Sequence, residues 1–479
     1  MKKIFITCLF VAASTIAICQ NIGVGTSNPT EKLEVNGNVK ANGIKILPNA
    51  GSGKVLTSDA NGNGTWQNMA NNNNGDVGYG PWGDCSMNGV TDYLPVADPA
   101  GNEYEYMGNA VAVFGNFAVI GKHRKDMYGN DGQGAADVYE HNGTTWVFKQ
   151  TLFDPTGLAG DYFGASVSIS ANYIAVGADG AKIAGIDNWG AVYIYKYVGG
   201  SWTFQQKITD PTGAADDYFG RSVSITETIL AVGIPNDDIG VQYQRGSVCM
   251  FRNNGAAWVS QAKLVDPDGY YGEYFGNSVS VFDNRVVIGA PFDNVAAGDY
   301  EEGSASIFEF NGTSWLFKQR INGMTGTSGA EFKFGYSVSM WGDWILVGVP
   351  NQDVYSQWQE QGAAWFFRYN GTSWVYTKSV FNLKEQPADE FGTSVCISGD
   401  YAIVGTRWDD VKYYQGGSAT IYKKVGIGWG EVQYLSDKMG DSWSEFGNAV
   451  SIDGNTRRFI VAAHGYANGA GKVVFGKVY

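Results

Sequence analysis

The sequence predicts an all-β fold, a seven-bladed β-propeller of four-stranded blades preceded by a short β-rich stalk. Three observations predict it. An aromatic-Gly or Met-Gly pair recurs seven times, at Met107-Gly108, Phe163-Gly164, Phe219-Gly220, Phe275-Gly276, Phe334-Gly335, Phe391-Gly392 and Phe446-Gly447, with spacings of 56, 56, 56, 59, 57 and 55 residues. Between these anchors apolar residues alternate as they do in strands, and no helix-period segment of useful length occurs. Composition agrees: 66 Gly in 479 residues, 14% aromatic and only 17% charged residues suit many short, tightly turned strands.

The chain opens with features of an export signal. Lys2-Lys3 supply the charged start, Ile4 to Ile18 the apolar stretch, and Ala17-Ile18-Cys19 a cleavage site before Gln20, so residues 1–19 read as a signal peptide. This predicts a secreted or cell-surface protein, and no later segment could span a bilayer as a helix. Residues 20–67 hold short strand-like runs such as Asn21 to Thr26, Lys32 to Gly37 and Gly53 to Asp59. So small a segment has little core of its own, which suits a stalk that trimerises. Residues 68–80, with four consecutive Asn from Asn71 to Asn74, read as a flexible linker.

Residues 81–479 form the predicted propeller, and the second repeat shows its plan. Ser166 to Ile169 is a short alternating inner strand, Tyr173 to Val176 a second strand closing on Gly177, Gly190 to Tyr195 a third, and Trp202 to Ile208 an outer strand. Only Ser170-Ala171-Asn172 links the first two, whereas a loop of a dozen residues links the second and third. The third and fourth are joined through Asn142-Gly143, Asn311-Gly312 and Asn370-Gly371, with Gly199-Gly200 and Asn254-Gly255 elsewhere, pairs that predict type I′ hairpins. A Trp follows each turn (Trp146, Trp202, Trp258, Trp315, Trp374 and Trp429), as expected of a side chain packed on the neighbouring blade. The seventh repeat ends after its third strand. Asp92 to Pro99 mirrors Lys207 to Pro211, so residues near 88–97 are expected to complete that blade and close the ring, removing two open sheet edges. Cys249 stands where Tyr193 does and Cys396 where Ser168 does; with Cys85 they match no metal or redox spacing.

The anchors, together with Val176-Gly177-Ala178 and with Val232-Gly233-Ile234-Pro235, Ile288-Gly289-Ala290-Pro291 and Val347-Gly348-Val349-Pro350, resemble the FG-GAP repeat family of integrin-α-type propellers over roughly residues 88–479. The resemblance implies a seven-bladed propeller in an extracellular protein that binds rather than catalyses. Many repeats of that family carry a calcium loop between strands one and two. Here that link is two or three residues, such as Thr226-Glu227-Thr228 or Asp283-Asn284, too few for the six or more oxygens that calcium takes. The pattern is similar to a shortened bacterial subtype, and no cofactor or metal is expected, calcium at loop-face acids being the alternative. Residues 21–66 resemble stalk segments of bacterial surface and tail-fibre-like proteins.

In a propeller, the loops entering each inner strand share a face with those between strands two and three. Both sets are acidic. Glu105, Asp161, Asp217, Glu273, Glu331, Asp389 and Glu445 precede the anchors. The long loops carry the candidate binding residues Asp187, Trp189, Asp237, Asp238, Tyr243, Asp293, Tyr300, Asp353, Trp358, Trp408, Asp409, Asp410 and Tyr414, with Asp299 beside them; the first loop instead holds Lys122, His123, Arg124 and Lys125. One reading is that Asp recurs as a turn former; the other is a binding face for a protein or glycan, where rings stack and carboxylates accept hydrogen bonds. A net charge of −14 argues against nucleic acid and anionic membrane surfaces. Only His123, His141 and His464 are present, without a triad or metal motif, and acids repeated in every blade give no unique catalytic pair, so an enzyme is not expected.

Overall fold

The computed structural model describes strand residues 22–24, 33–35, 54–58 and 64–68, then 90–97 and 104–478 apart from 296–300, 324–330, 354–359, 383–387, 411–412 and 438–440. The chain divides into two units, Met1–Val77 and Gly78–Tyr479. In the first, Ile22–Val24 pairs in parallel with Leu33–Val35, and Lys54–Ser58 pairs antiparallel with Gly64–Asn68. The expected signal, and the expected linker beyond Asn68, lie outside the described residues.

The second unit is seven four-stranded antiparallel sheets, numbered here as blades one to seven by their anchors. Blade two consists of Phe163–Ile169, Tyr173–Ala178, Ala191–Val198 and Ser201–Ile208. Its second strand is buried at all six positions, which is why Tyr-Ile-Ala-Val-Gly-Ala reads as a continuous apolar run, while the outer strand mixes buried and exposed residues. Each outer strand carries one extra residue opposite its partner, as between Ile194 and Tyr195 or Met250 and Phe251, a bulge repeated around the ring.

The core lies between blades. Seven clusters each join side chains of adjacent sheets; the last combines Met107, Val111 and Trp146 with Ile460, Ala462 and Phe475 across the closure. Closure is as expected: Val90–Ala97 pairs with Lys472–Val478, Val96 opposite Val473 and Leu94 opposite Phe475. The repeated Trp are buried against the preceding blade. Trp146 stacks on Phe475 at 4.6 Å, Trp429 stacks on Phe366 at 4.9 Å, and Trp202 meets Phe117 edge-on at 5.4 Å. Removing roughly 150 Å² or more of each ring from water is worth about 4 kcal/mol.

One local expectation is corrected. Gly199-Gly200 has both residues at positive φ, 59° and 91°, as a type I′ turn requires, but the Asn-Gly turns do not. Between His141 and Trp146 the loop has four residues, and of the Asn142-Gly143 pair only Gly143 has positive φ. Asn142 acts through its side chain: Oδ1 accepts the N–H groups of Thr144 and Thr145, each at 3.0 Å. Asn254, Asn311 and Asn370 do the same.

Blades are joined at their inner ends by a repeated clamp. The second-strand glycine approaches the next anchor glycine so closely that a Cβ on Gly177 would lie 2.1 Å from the Gly220 oxygen, and one on Gly233 2.0 Å from that of Gly276. A serine of the same blade donates to that carbonyl: Ser166 to Gly220 at 2.7 Å, Ser222 to Gly276 and Ser337 to Gly392 at 2.8 Å. Two residues on, a second serine accepts a backbone N–H of the next inner strand, as Ser168 does from Ile225 at 3.1 Å and Ser339 from Ile397 at 2.9 Å. In blade six Cys396 takes this place, its Sγ receiving the Ile452 N–H at 3.5 Å.

Two predictions follow from the ring. Ser339→Ala strands a buried N–H and is expected to cost about 1–3 kcal/mol in denaturant unfolding, whereas Ser339→Cys, the natural blade-six solution, costs less. Deleting residues 88–98 exposes two sheet edges and should lower the melting temperature and promote aggregation. A truncation melting like the full chain would contradict closure.

Candidate functional site

The loop-bearing edge has three layers. The deepest is a set of carboxylates turned inward. Glu105, Asp161, Asp217, Glu273 and Asp389 stand two residues before their anchors and are all 5% exposed or less. In blades five and seven that position is Phe332 and Ser444; Glu331 and Glu445 fall one residue to either side, so the acidic series is five-membered. From the long loops, Asp237, Asp293 and Asp409 join this layer at 5%, 1% and 2% exposure. Asp237 accepts from Ser247 Oγ at 2.5 Å and pairs with Lys263, which also holds Asp210 at 2.9 Å. Asp409 accepts from Ser418 at 2.6 Å and Tyr434 at 2.7 Å. These acids tie loop to strand and blade to blade.

The second layer is the outer loop tips. Asp238, Asp353 and Asp410 are exposed, and each carboxylate accepts an amide of its own loop: Gln244 at 2.8 Å, Glu360 at 2.9 Å and Gln415 at 2.5 Å. This is the turn-forming behaviour of Asp. Asp187 forms an exposed pair with Lys182 at 2.6 Å. Trp189 is half-buried; its indole donates to the Asp210 carbonyl at 3.0 Å, where Gln133 and Arg245 make the same contact in other blades. Trp408 lies under the Arg407 guanidinium at 4.2 Å. Tyr243 is exposed, and Tyr414 meets Trp443 edge-on at 5.0 Å, both more than half exposed. Tyr300 and Trp358 lie outside the described residues.

Of the third layer, sequence reasoning named only Glu445. The residue just before each anchor lies at the inner rim of this face: Tyr106, Tyr162, Tyr218, Tyr274, Lys333, Glu390 and Glu445. All seven have positive φ, between 53° and 59°, unusual for residues with side chains. The conformation is held by the backbone, because each N–H donates to the loop of the preceding blade, as Tyr218 does to Asn188 at 3.0 Å and Tyr274 to Gln244 at 3.2 Å. The rim divides into two arcs. Blades one to four present four half-buried tyrosines, with His123 and His464 flanking Tyr106 at 5.8 and 5.6 Å. Arg124 lies over both Tyr106 and Tyr162. Blades five to seven present charge, with Glu390 on Arg407 at 2.7 Å and Glu445 on His464 at 3.2 Å. Burial pushes His123 down to about 3, helped by Arg124, and His464 down to about 4, helped by Arg407, so both imidazoles are neutral at pH 7. A Tyr recurring before four anchors was the available signal.

One deep cluster stands apart. Asp266, Glu273 and Asp293 are buried, and their oxygens lie within 4.8 Å of one another, near enough to share an ion. Cations of the chain already serve it: Arg320 pairs with Asp266 and lies 3.7 Å from Asp293, and Arg245 lies 3.9 Å from Glu273. Burial, reinforced by Asp266 and Asp293, pushes the Glu273 carboxyl up to about 8. The folded state therefore keeps a proton that the unfolded chain releases above about pH 4.5, so this group makes stability fall as pH rises from there towards 8. Glu273→Gln should melt higher than the parent at pH 8 and match it near pH 4.5. Equal or lower melting at pH 8 would show that the carboxyl is ionised in the fold.

Four segments, 146–195, 202–251, 258–308 and 385–422, match the family model described as FG-GAP repeat. No curated protein matches the chain. The first three matches each begin at the Trp of one outer strand and end within the third strand of the next blade, so the sequence repeat straddles the blade junction, the same offset by which the ring closes. Within residues 146–422 the propeller thus carries four segments similar to FG-GAP repeats.

Proposed function

We propose that this chain is an exported recognition protein whose propeller engages a protein or cell-surface partner through the inner rim of its loop-bearing face. A propeller carrying FG-GAP-like repeats suggests an interaction module. The observation that carries the reading is the arc of Tyr106, Tyr162, Tyr218 and Tyr274, four equivalent residues whose backbones are held by bonds to neighbouring loops. Tyrosines fixed in this way offer broad amphipathic contact at little entropic cost on binding. The leader-like residues 1–19 support export, and among the described residues no helix is long and apolar enough to cross a membrane. Neutral buried histidines and carboxylates engaged in ion pairs favour binding over catalysis.

The test separates rim from loop tips. Labelled full-length protein is applied to intact cells and binding read by flow cytometry. Tyr162→Asn with Tyr218→Asn, a replacement that tolerates positive φ, should cut binding about tenfold or more, while Asp238→Ala with Tyr243→Ala leaves it unchanged. Loss from the loop-tip pair alone would move the site outward.

A further inference from the structure

We propose that the hollow between blades three and four binds a carboxylate-bearing oligosaccharide, with Arg221 receiving the carboxylate. The proposal rests on the recognition reading of this face. The hollow measures about 480 Å³ and is walled by Tyr218, Arg221, Asn236, Tyr274, Asn277 and Tyr336, with Pro235 and Phe292 behind them. That volume suits a small ligand, for which pockets of about 300–1,000 Å³ are usual, and not a folded partner, whose footprint is about 800 Å².

The lining selects the chemistry. Three tyrosine rings offer faces on which the C–H side of a sugar can lie, and two amides offer donors and acceptors for hydroxyls. No Leu, Ile, Val or Met lines the hollow, so an aliphatic peptide side chain finds no counterpart. The walls are fixed in advance. Tyr274 donates its hydroxyl to Gln244 at 2.8 Å and packs on Phe292 at 5.1 Å. Asn277 donates to the Tyr336 carbonyl at 3.1 Å, so its amide orientation is set.

Charge narrows the class further. The position after the anchor glycine is Asn109, Ala165, Arg221, Asn277, Tyr336, Thr393 or Asn448 around the ring; Arg221 is its single cation, and the hollow has no carboxylate in its lining. In a chain of net charge −14 this is a local exception. Buried Asp179 holds one edge of the guanidinium at 3.2 Å, and the side chain is otherwise 58% exposed. An oriented guanidinium with a free edge is the geometry that takes a carboxylate through two parallel hydrogen bonds.

The experiment uses a glycan array of paired oligosaccharides differing only in a carboxylate, hexuronate against hexose and sialylated against desialylated, followed by titration of the strongest pair. The full-length protein should prefer the carboxylate-bearing members. Arg221→Gln should weaken that binding about tenfold or more and abolish the preference. Arg221→Lys, which keeps the charge and the Asp179 contact, should fall between, and Tyr274→Asn should weaken both members of a pair. Thermal melts identify any variant that unfolds, and Arg221→Lys keeps the test decisive if Arg221→Gln does. No carboxylate preference, undiminished binding by both Arg221 variants, or binding of an acidic peptide in place of every saccharide would overturn the proposal. A blank array alongside tyrosine-dependent cell binding would sink the saccharide while leaving the recognition reading intact.

Discussion

The structure depends on one close approach. At six of the seven blade junctions a second-strand glycine lies so near the next anchor glycine that a single Cβ would fall about 2 Å from its carbonyl oxygen, and at five of them a serine hydroxyl of the same blade secures that oxygen. Inner strands can converge only if backbone meets backbone there, since a side chain would force the sheets apart. The junction between blades seven and one solves the problem differently. There Ala462 replaces the glycine, Ala449 the serine and Met107 the anchor phenylalanine, while Ser451 still accepts the Val113 N–H at 3.1 Å. A second clamp works farther out. Gln150, Gln206 and Gln319 each reach across to both the N–H and C=O of the next blade's Trp, at 2.8 to 3.1 Å. Between clamps the packed rings supply most of the energy and the hydrogen bonds fix the register.

The same geometry creates the rim. To enter the crowded inner strand the chain must reverse sharply just before each anchor; it does so with the adjoining residue at positive φ in every blade and a second such residue two positions earlier in six of them. Seven backbone N–H groups then bond to seven loops of preceding blades, so a residue in a costly conformation is held by contacts on both sides. The side chain at that position makes different contacts from blade to blade, Tyr274 with Gln244 and Phe292 and Glu390 with Arg407. Its identity varies, Tyr in four blades and Lys or Glu in three, while the conformation does not. Constant backbone with variable side chain is the arrangement of a display surface.

What was legible in the sequence was whatever the backbone demands at every repeat. Glycines at the close approach recur in six blades because the next backbone leaves no room for a Cβ, and Trp in six because the preceding blade offers it the same packing site, so blade number, strand order and closure could be read from spacing. Hairpin detail could not. Asn142-Gly143 satisfies the dipeptide rule for a type I′ turn, but the rule assumes a two-residue loop, and loop length is set by cross-strand register that periodicity does not reveal. The direction of loop carboxylates was equally hidden. Asp237 and Asp238 are adjacent and chemically identical, yet one is buried on Lys263 and the other caps its own loop. Irregular backbone has no period from which orientation could be inferred. The position of Tyr162 and its equivalents has no constant residue for periodicity to pick out, since three of the seven blades place Lys or Glu there.

The inward turning of the acids bears on how this face meets a partner. Counted from sequence, the loop face is a ring of negative charge that would draw cations. In the fold, the deepest carboxylates are consumed by Lys263, Arg320, Lys125 and Ser or Tyr hydroxyls, and Glu273 keeps a proton to about pH 8. What reaches the inner rim is therefore aromatic surface interrupted by Arg124 and Arg221 on one side and by Lys333 and the Glu390–Arg407 and Glu445–His464 pairs on the other. Charge in water is screened over about 10 Å, so a ligand at the rim responds to these nearby groups more than to the chain's total. Net charge thus predicts how the protein behaves towards polyanions at a distance, while selectivity at contact belongs to the few cations left without a full set of internal partners.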